Sequence, residues 1–202
     1  GDVYKRQHKD WYGKLYRSSD TKVIPEEELE QARSIMTPEQ FEQEFECSFT
    51  AAVSGSYYGR LITKADKDGR IGYVPVDDNA GVETWWDLGI GDSTAIWFAQ
   101  RIGEEVHLID YYENSGESLA HYVDVLKEKD YAYSCHIAPH DIQARELGTG
   151  KSRLEVAAEL GLDFQVAPKL EVDHGIESVR NALKQCWFDR EKCKQGLDAL
   201  RQ

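Results

Sequence analysis

The stretch VETWWDLGIGDSTAIWFAQ, from Val82 to Gln100, places the tightest limits on the fold of this chain. A β-branched and aromatic run, Val82 to Trp86, leads into Asp87. The tight segment Leu88-Gly89-Ile90-Gly91-Asp92 follows, then a second apolar run from Thr94 to Ala99. Two strand-forming runs around a glycine-bearing turn predict a hairpin. Asp87 comes directly after two tryptophans in a strand expected to be buried. A carboxylate there is costly unless it is neutralised or coordinates a cation. The nearby glycines let backbone or phosphate come close. These residues alone leave two readings open: a metal site at a sheet edge, or a turn acid capping a hairpin.

At 202 residues and 41% hydrophobic, the chain can bury one core, as one domain or one domain plus an extension. No apolar run approaches the roughly 18 residues of a membrane span, and no signal peptide is expected before the fold. The net charge of −13 makes non-specific nucleic-acid binding unfavourable, so any DNA contact must be local or metal-bridged. The four cysteines, Cys47, Cys135, Cys186 and Cys193, form no C-x-x-C pair and read as reduced thiols in a cytosol-like compartment.

Along the chain, Pro25 begins a helix whose first turn carries Glu26, Glu27 and Glu28, favourable at the positive end of the helix dipole. Thr37-Pro38 restarts a helix with the aromatic stripe Phe41, Phe45 and Phe49, read as packing. Tyr57 to Asp78 reads as a polar linker or excursion. Three closely spaced strands follow, Val82–Trp86, Thr94–Arg101 and Glu105–Tyr112, which predicts an antiparallel meander. Then come a helix over Glu117–Lys129, a strand over Tyr131–Ala138 ended by Pro139-His140-Asp141, and a helix over Ser152–Leu160 closed by Gly161. A strand at Phe164–Ala167 and a helix at His174–Cys186 follow, the latter with Ile176, Val179, Leu183 and Cys186 inward. Trp187-Phe188 is a short strand before a polar helix from Glu191, in a tail read as a solvated face. Three antiparallel strands followed by alternating helices and strands predict an α/β fold with a mixed sheet.

In that order Asp87 ends the first strand of the meander and Asp141 follows the fourth strand. If those strands are neighbours, both carboxylates project from one sheet edge, where open α/β sheets keep their sites. Paired carboxylates repel unless a hard divalent cation sits between them, and Mg²⁺ or Mn²⁺ prefers such oxygen ligands.

The segments WWDLGIGDSTAIWF, Ile109-Asp110-Tyr111-Tyr112-Glu113 and HIAPHDIQARELGTGKSRLEVAAELG, in that order, resemble the nuclease domain of the large terminase subunits of tailed bacteriophages. Tyr16 to Phe49 resembles the region where that family's ATPase domain hands over to its nuclease domain. The resemblance implies an RNase H-like fold, with residues 1–24 ending the ATPase domain, 25–80 forming a helical linker region and 81–202 the nuclease domain. It implies metal-dependent cleavage of concatemeric double-stranded DNA in the cytoplasm of the infected host, with portal protein and small terminase subunit as partners of the full protein. Asp87 matches the family's first-strand metal ligand, Asp141 the acid after the fourth strand, and Asp92 an accessory acid. Two cations on these residues would activate a water for in-line attack. The family's third acid stands in a late H-x-x-D-A-F-R-like motif that does not occur before Gln202. Neither Asp189 nor Asp198 has matching surroundings, so the chain reads as a piece lacking that ligand. An RNase H-like resolvase or transposase-type nuclease shares the first-strand Asp, but Tyr16 to Phe49 argues against it. A non-catalytic docking module would survive loss of Asp87.

Other residues have simpler roles. Gly148-Thr149-Gly150-Lys151-Ser152 resembles the end of a phosphate-binding loop, yet that motif needs glycine where Arg145 stands, so ATP is not expected to bind. Ser152 instead caps the next helix, and Arg145, Lys151 and Arg153 are candidates for DNA phosphate contacts. His136 reads as a partly buried strand residue. Asp110 and Glu113 read as a polar turn after the third strand, with Asp110 ranked below Asp141 as a ligand.

Overall fold

The computed structural model describes residues 23–35, 41, 45, 56–89, 93–145 and 150–202. The chain divides into two compact units, one comprising 1–60 with 201–202 and the other Leu61–Leu200. In the first, helix α1 (Glu26–Ile35) starts at Pro25, whose carbonyl accepts from the N–H groups of Glu28 and Leu29. Leu29 and Ala32 are buried with Phe41, which stacks on Phe45 at 4.9 Å between ring centroids. The Thr37 cap, Phe49 and Cys47 lie outside the described residues.

The second unit is built on a seven-stranded mixed sheet in the order β1-β7-β4-β3-β2-β5-β6. The strands are β1 (Ile71–Gly72), β2 (Val82–Asp87), β3 (Ser93–Ile102), β4 (Glu105–Ser115), β5 (Tyr133–Ala138), β6 (Phe164–Val166) and β7 (Cys186–Asp189). The helices are α2 (Gly59–Lys67), which begins at the boundary, α3 (Leu119–Lys129), α4 (Arg153–Glu159), α5 (Val172–Ala182) and α6 (Lys194–Leu200). β2, β3 and β4 form the expected antiparallel meander, and β5 pairs parallel with β2. The architecture is the mixed α/β, RNase H-like sheet. Tyr57 to Asp78, which reads as a linker, holds α2 and the edge strand β1; so short a strand has no periodicity to betray it. β1 is fastened by backbone bonds from Phe188 N to Arg70 O (2.8 Å) and from Arg190 N to Gly72 O (2.7 Å).

The alternation of β2 sorts its residues between two faces. Val82, Thr84 and Trp86 turn into the main core, where Trp86 meets Tyr122 of α3 and Phe164 of β6 edge-on. Glu83, Trp85 and Asp87 turn to the other face. Asp87 is exposed, which corrects the expectation of a buried carboxylate: the strand is buried, but Asp87 is its last residue and emerges at the sheet edge. On that second face α6 lies close to the sheet. A Cβ on Gly196 would stand 2.5 Å from the Trp97 ring and 2.8 Å from Tyr111, so glycine is required there for close approach. The tail is therefore not a solvated face throughout, since Cys193 and Leu197 are buried with β7. Burial pushes the Cys186 thiol up to about 11 and that of Cys193 to about 12, so both are un-ionised at neutral pH. Leu183 and Cys186 are buried as expected, whereas α5 itself departs from expectation, with none of its side chains, Ile176 and Val179 included, buried.

A buried hydrogen-bond chain ties β2 to β5. Trp86 Nε1 donates to Thr84 Oγ1 at 2.7 Å, and that oxygen lies 2.7 Å from His136 Nδ1 across the strand pair. Thr84 Oγ1 thus joins the Trp86 indole to the His136 imidazole. Burial lowers the His136 pKa. The start of β2 is held by Gln100, fully buried, whose amide donates to Asp77 O and Ala80 O and accepts from Asp77 N.

This packing makes two predictions. Gly196→Ala destabilises the chain by about 1–3 kcal/mol in urea denaturation, because the ring system below it cannot recede freely. The His136 pKa is lower folded than its ordinary 6.5, so the unfolded chain takes up a proton that the folded chain refuses. Stability falls as pH drops below about 6.5 and levels off below the folded value. Thermal melts from about pH 7 to pH 5 should show this slope, and His136→Gln should remove that component.

Candidate functional site

The parallel pairing of β2 with β5 places two carboxylates at one edge. Trp85 stands opposite Ile137, so Asp87 lies two residues beyond that pair and Asp141 four beyond it. β2 ends with Asp87; β5 ends at Ala138 and runs through Pro139 into a 3₁₀ turn, His140–Gln143, that holds Asp141. The turn is closed by Ile142 N to Pro139 O (3.2 Å) and Ala144 N to Asp141 O (2.9 Å), with Ile142 anchored in the core. Asp87, His140 and Asp141 are all exposed. The sheet thus presents both acids at the carboxyl ends of adjacent parallel strands. Asp92 lies outside the described residues.

Three further acids separate by environment. Asp110 is buried on the α3 face, 2.5 Å from Lys129 Nζ and 3.1 Å from the Tyr131 hydroxyl, and it accepts from Tyr111 N. Its carboxylate is engaged by a lysine, a tyrosine and a backbone N–H. Asp189, also buried, accepts backbone N–H groups from Val74, Glu191 and Lys192 at 3.0–3.2 Å, and so fixes the turn between β7 and α6. Glu113 is not in a turn: β4 runs on to Ser115, and Glu113 pairs with Ala95, which pairs with Asp87. One row across three strands therefore holds Asp87 and Glu113. Tyr111 donates to one Glu113 oxygen and Gln195 of α6 to the other. Burial, the Glu113 hydrogen bond and the charges of Glu113 and Asp87 together push the Tyr111 pKa well up. Period-two alternation continued past Tyr112 would have put Glu113 on the face of Tyr111 and Trp97.

The basic loop lies beside the same edge. Ser152 caps α4 in a full capping box: its Oγ accepts from Glu155 N at 3.2 Å, and its own N–H donates to Glu155 Oε2 at 2.7 Å. That bond from the Ser152 N–H is the foremost reason that the Glu155 pKa is lowered. Lys151 pairs with Glu159 at 2.5 Å, both half exposed or more. Arg153 Nη1 lies 3.4 Å from the carbonyl of Leu88, directly after Asp87, while exposed Arg145 forms an isolated antiparallel bridge with the buried Ser152. The reading of Ser152 as the helix cap agrees with the structure, while Gly148 and Thr149 lie outside the described residues.

The donor chemistry suits a hard cation in part. Two neighbouring exposed carboxylates are oxygen donors of the kind Mg²⁺ and Mn²⁺ prefer. Among the described residues, no group of three His, Cys, Asp or Glu gathers in metal-binding geometry. No helix among the described residues is long and apolar enough to cross a membrane.

The structural acids and the edge acids should respond differently to removal. Asp110→Ala leaves the half-buried Lys129 and the Tyr131 hydroxyl without their shared partner and costs about 1–3 kcal/mol, as does Asp189→Ala. Asp87→Ala and Asp141→Ala stay within roughly 0.5 kcal/mol of wild type. Urea midpoints of the four variants test this.

No protein-family model matches the chain, and no curated protein matches it. Solved structures do. The large terminase of a thermophilic bacteriophage, in complex with ADP, aligns over 92% of this chain and 46% of its own, with 14% identity and a TM-score of 0.56. The phage P22 large terminase nuclease domain aligns over 66% of this chain and 74% of its own, with 16% identity and a TM-score of 0.51. The chain thus spans about half the length of the thermophilic phage's large terminase. At these identities the likeness is one of architecture, and the chain has the RNase H-like fold of phage large-terminase nuclease domains.

Proposed function

We propose that this chain is the metal-dependent endonuclease domain of a viral DNA-packaging large terminase, acting on double-stranded DNA. The observation that carries this reading is the placement of Asp87 and Asp141 at the carboxyl ends of two adjacent parallel strands in a sheet of this fold. Asp87 and Asp141 would hold Mg²⁺ or Mn²⁺, with Asp92 as an accessory acid. When bound, such cations supply Lewis acidity and an activated water for phosphodiester hydrolysis. The chain's own residues contribute position. The Trp86–Thr84–His136 bonds hold β2 and β5 in register, and Ile142 anchors the turn that presents Asp141. Arg145, Lys151 and Arg153 would meet DNA phosphates, offsetting locally the charge of −13. Portal protein and a small terminase subunit would be partners of the whole protein in the host cytoplasm.

Plasmid cleavage in Mn²⁺ tests the reading, using the chain, a longer version running on to a third acid, and Asp87→Ala in each. Asp87→Ala or Asp141→Ala should cost at least the roughly 10–100-fold that loss of a metal ligand's outer partner costs. Folded protein that cuts in neither form, or that still cuts without Asp87, overturns the assignment. Lys151→Ala should weaken DNA binding and flatten the slope of log affinity against log salt by about one; an unchanged slope removes Lys151 from the interface.

A further inference from the structure

A cavity of about 300 Å³ opens beside the start of β5, the end of that strand away from Asp141. It lies between the last turn of α3, β5 and the turn that follows α4, and its volume is at the small end of the range for ligand sites. Leu126 and Leu160 give it an aliphatic side, and Leu160 is 38% exposed. Tyr131, Tyr133 and His136 line it with rings, all three half-buried. Their polar atoms are largely engaged within the chain. The Tyr131 hydroxyl donates to Asp110 at 3.1 Å and that of Tyr133 to Leu126 O at 2.8 Å, while His136 Nδ1 lies against Thr84. What the two tyrosines offer an occupant is therefore chiefly their π-systems, which attract cations.

The charges around the cavity favour a positive occupant. Asp130 lines it, is exposed, and has no hydrogen-bond or ion-pair partner for its carboxylate among the described residues. Asp130 also caps α3, so the cavity meets the negative end of an eleven-residue helix. Burial first, with added contributions from the charges of Asp110 and Asp130, raises the Tyr133 pKa, and the charge of Asp163 partly offsets the lowering of His136 by burial. Lys127 lines the cavity too, but its ammonium is paired with Asp124 at 3.1 Å. The chain holds one of its own ammonium groups in similar surroundings close by: Lys129 Nζ lies 5.1 Å from the centroid of the Phe98 ring and 2.5 Å from Asp110, the carboxylate that Tyr131 also meets. We propose that the cavity binds a primary alkylammonium group, with its methylenes on Leu126 and Leu160 and its charge beside Asp130 and against the rings of Tyr131 and Tyr133. The site does not depend on the nuclease reading, because none of these residues belongs to the edge that carries Asp87 and Asp141.

NMR titration of the isotope-labelled whole chain with n-butylammonium chloride tests the proposal, with sodium chloride at equal ionic strength as reference and 1-butanol as the uncharged probe of the same length. Saturable shifts at Asp130, Tyr131, Tyr133 and Gly161 are expected, with a Kd on the order of 1–10 mM that is at least about threefold weaker for 1-butanol. Asp130→Asn, which keeps a residue type that accepts the φ of 52° found there, weakens butylammonium binding at least about threefold. Tyr133→Leu also weakens it, whereas Tyr133→Phe keeps the ring and the affinity. Melting temperatures show that each variant is folded, and Asp130→Asn alone decides the matter if Tyr133→Leu is not. A free amine and the lysine side chain of a partner present the same group. Binding of Nα-acetyl-lysine N-methylamide as tight as that of butylammonium identifies the side chain as the source, and weaker binding identifies a free amine. Shifts that do not saturate below about 100 mM, equal affinity for 1-butanol, or folded Asp130→Asn protein that binds like wild type overturns the inference.

Discussion

The Trp86–Thr84–His136 hydrogen-bond chain is the contact on which the sheet edge depends. β2 and β5 are far apart in sequence and parallel, so no short turn sets their register. A slip by one residue would turn Trp86 to solvent and Asp87 towards the core. Thr84 and His136 face one another only in the observed register, and the half-buried His136 would lose its Thr84 partner in any other. The polar chain therefore acts chiefly by penalising alternatives, and the aromatic cluster of Trp86, Tyr122 and Phe164 contributes the favourable burial.

The acids of this protein divide according to how the fold treats them. Asp110 and Asp189 are desolvated and matched, one by a lysine and a tyrosine, the other by three backbone N–H groups. Asp87 and Asp141 remain in solvent at the ends of their strands. Carboxylates in water cost the fold little and keep their lone pairs for an external partner. Glu113 stands between these cases, in the row of Asp87 yet engaged by Tyr111 and Gln195, which links α6 to the edge that carries Asp87.

The central sheet is legible in the sequence because its signals are local. The meander shows in aromatic and β-branched runs separated by short turns, and α4 shows in its Ser152 cap and the Gly161 that closes it. Asp87 and Asp141 stand out by their positions after strands and by resemblance; the distance between them is not written in the sequence. What escapes a reading of the sequence depends on contacts distant along the chain. β1 is two residues long and exists only because β7 receives it. Glu113 reads as part of a turn because its strand runs past the last obvious apolar residue. Ile176 and Val179 read as inward because they recur at helical period, and period alone does not say whether a face is buried. Asp87 reads as buried because its strand is; burial ends one residue sooner.

The order of the sheet carries a consequence for how the protein comes to be folded. β7, near the end of the sequence, lies between β4 and β1, and Ile71 pairs with Phe188. Until residues 186–189 leave the ribosome, β4 has an open flank and β1 has no neighbour. Closing pairs so distant in sequence carries a large loop entropy and slows that step. The nascent chain therefore passes through a stage with an unprotected strand edge beside the large apolar residues of the meander, and at that stage it is most exposed to misassembly with other chains.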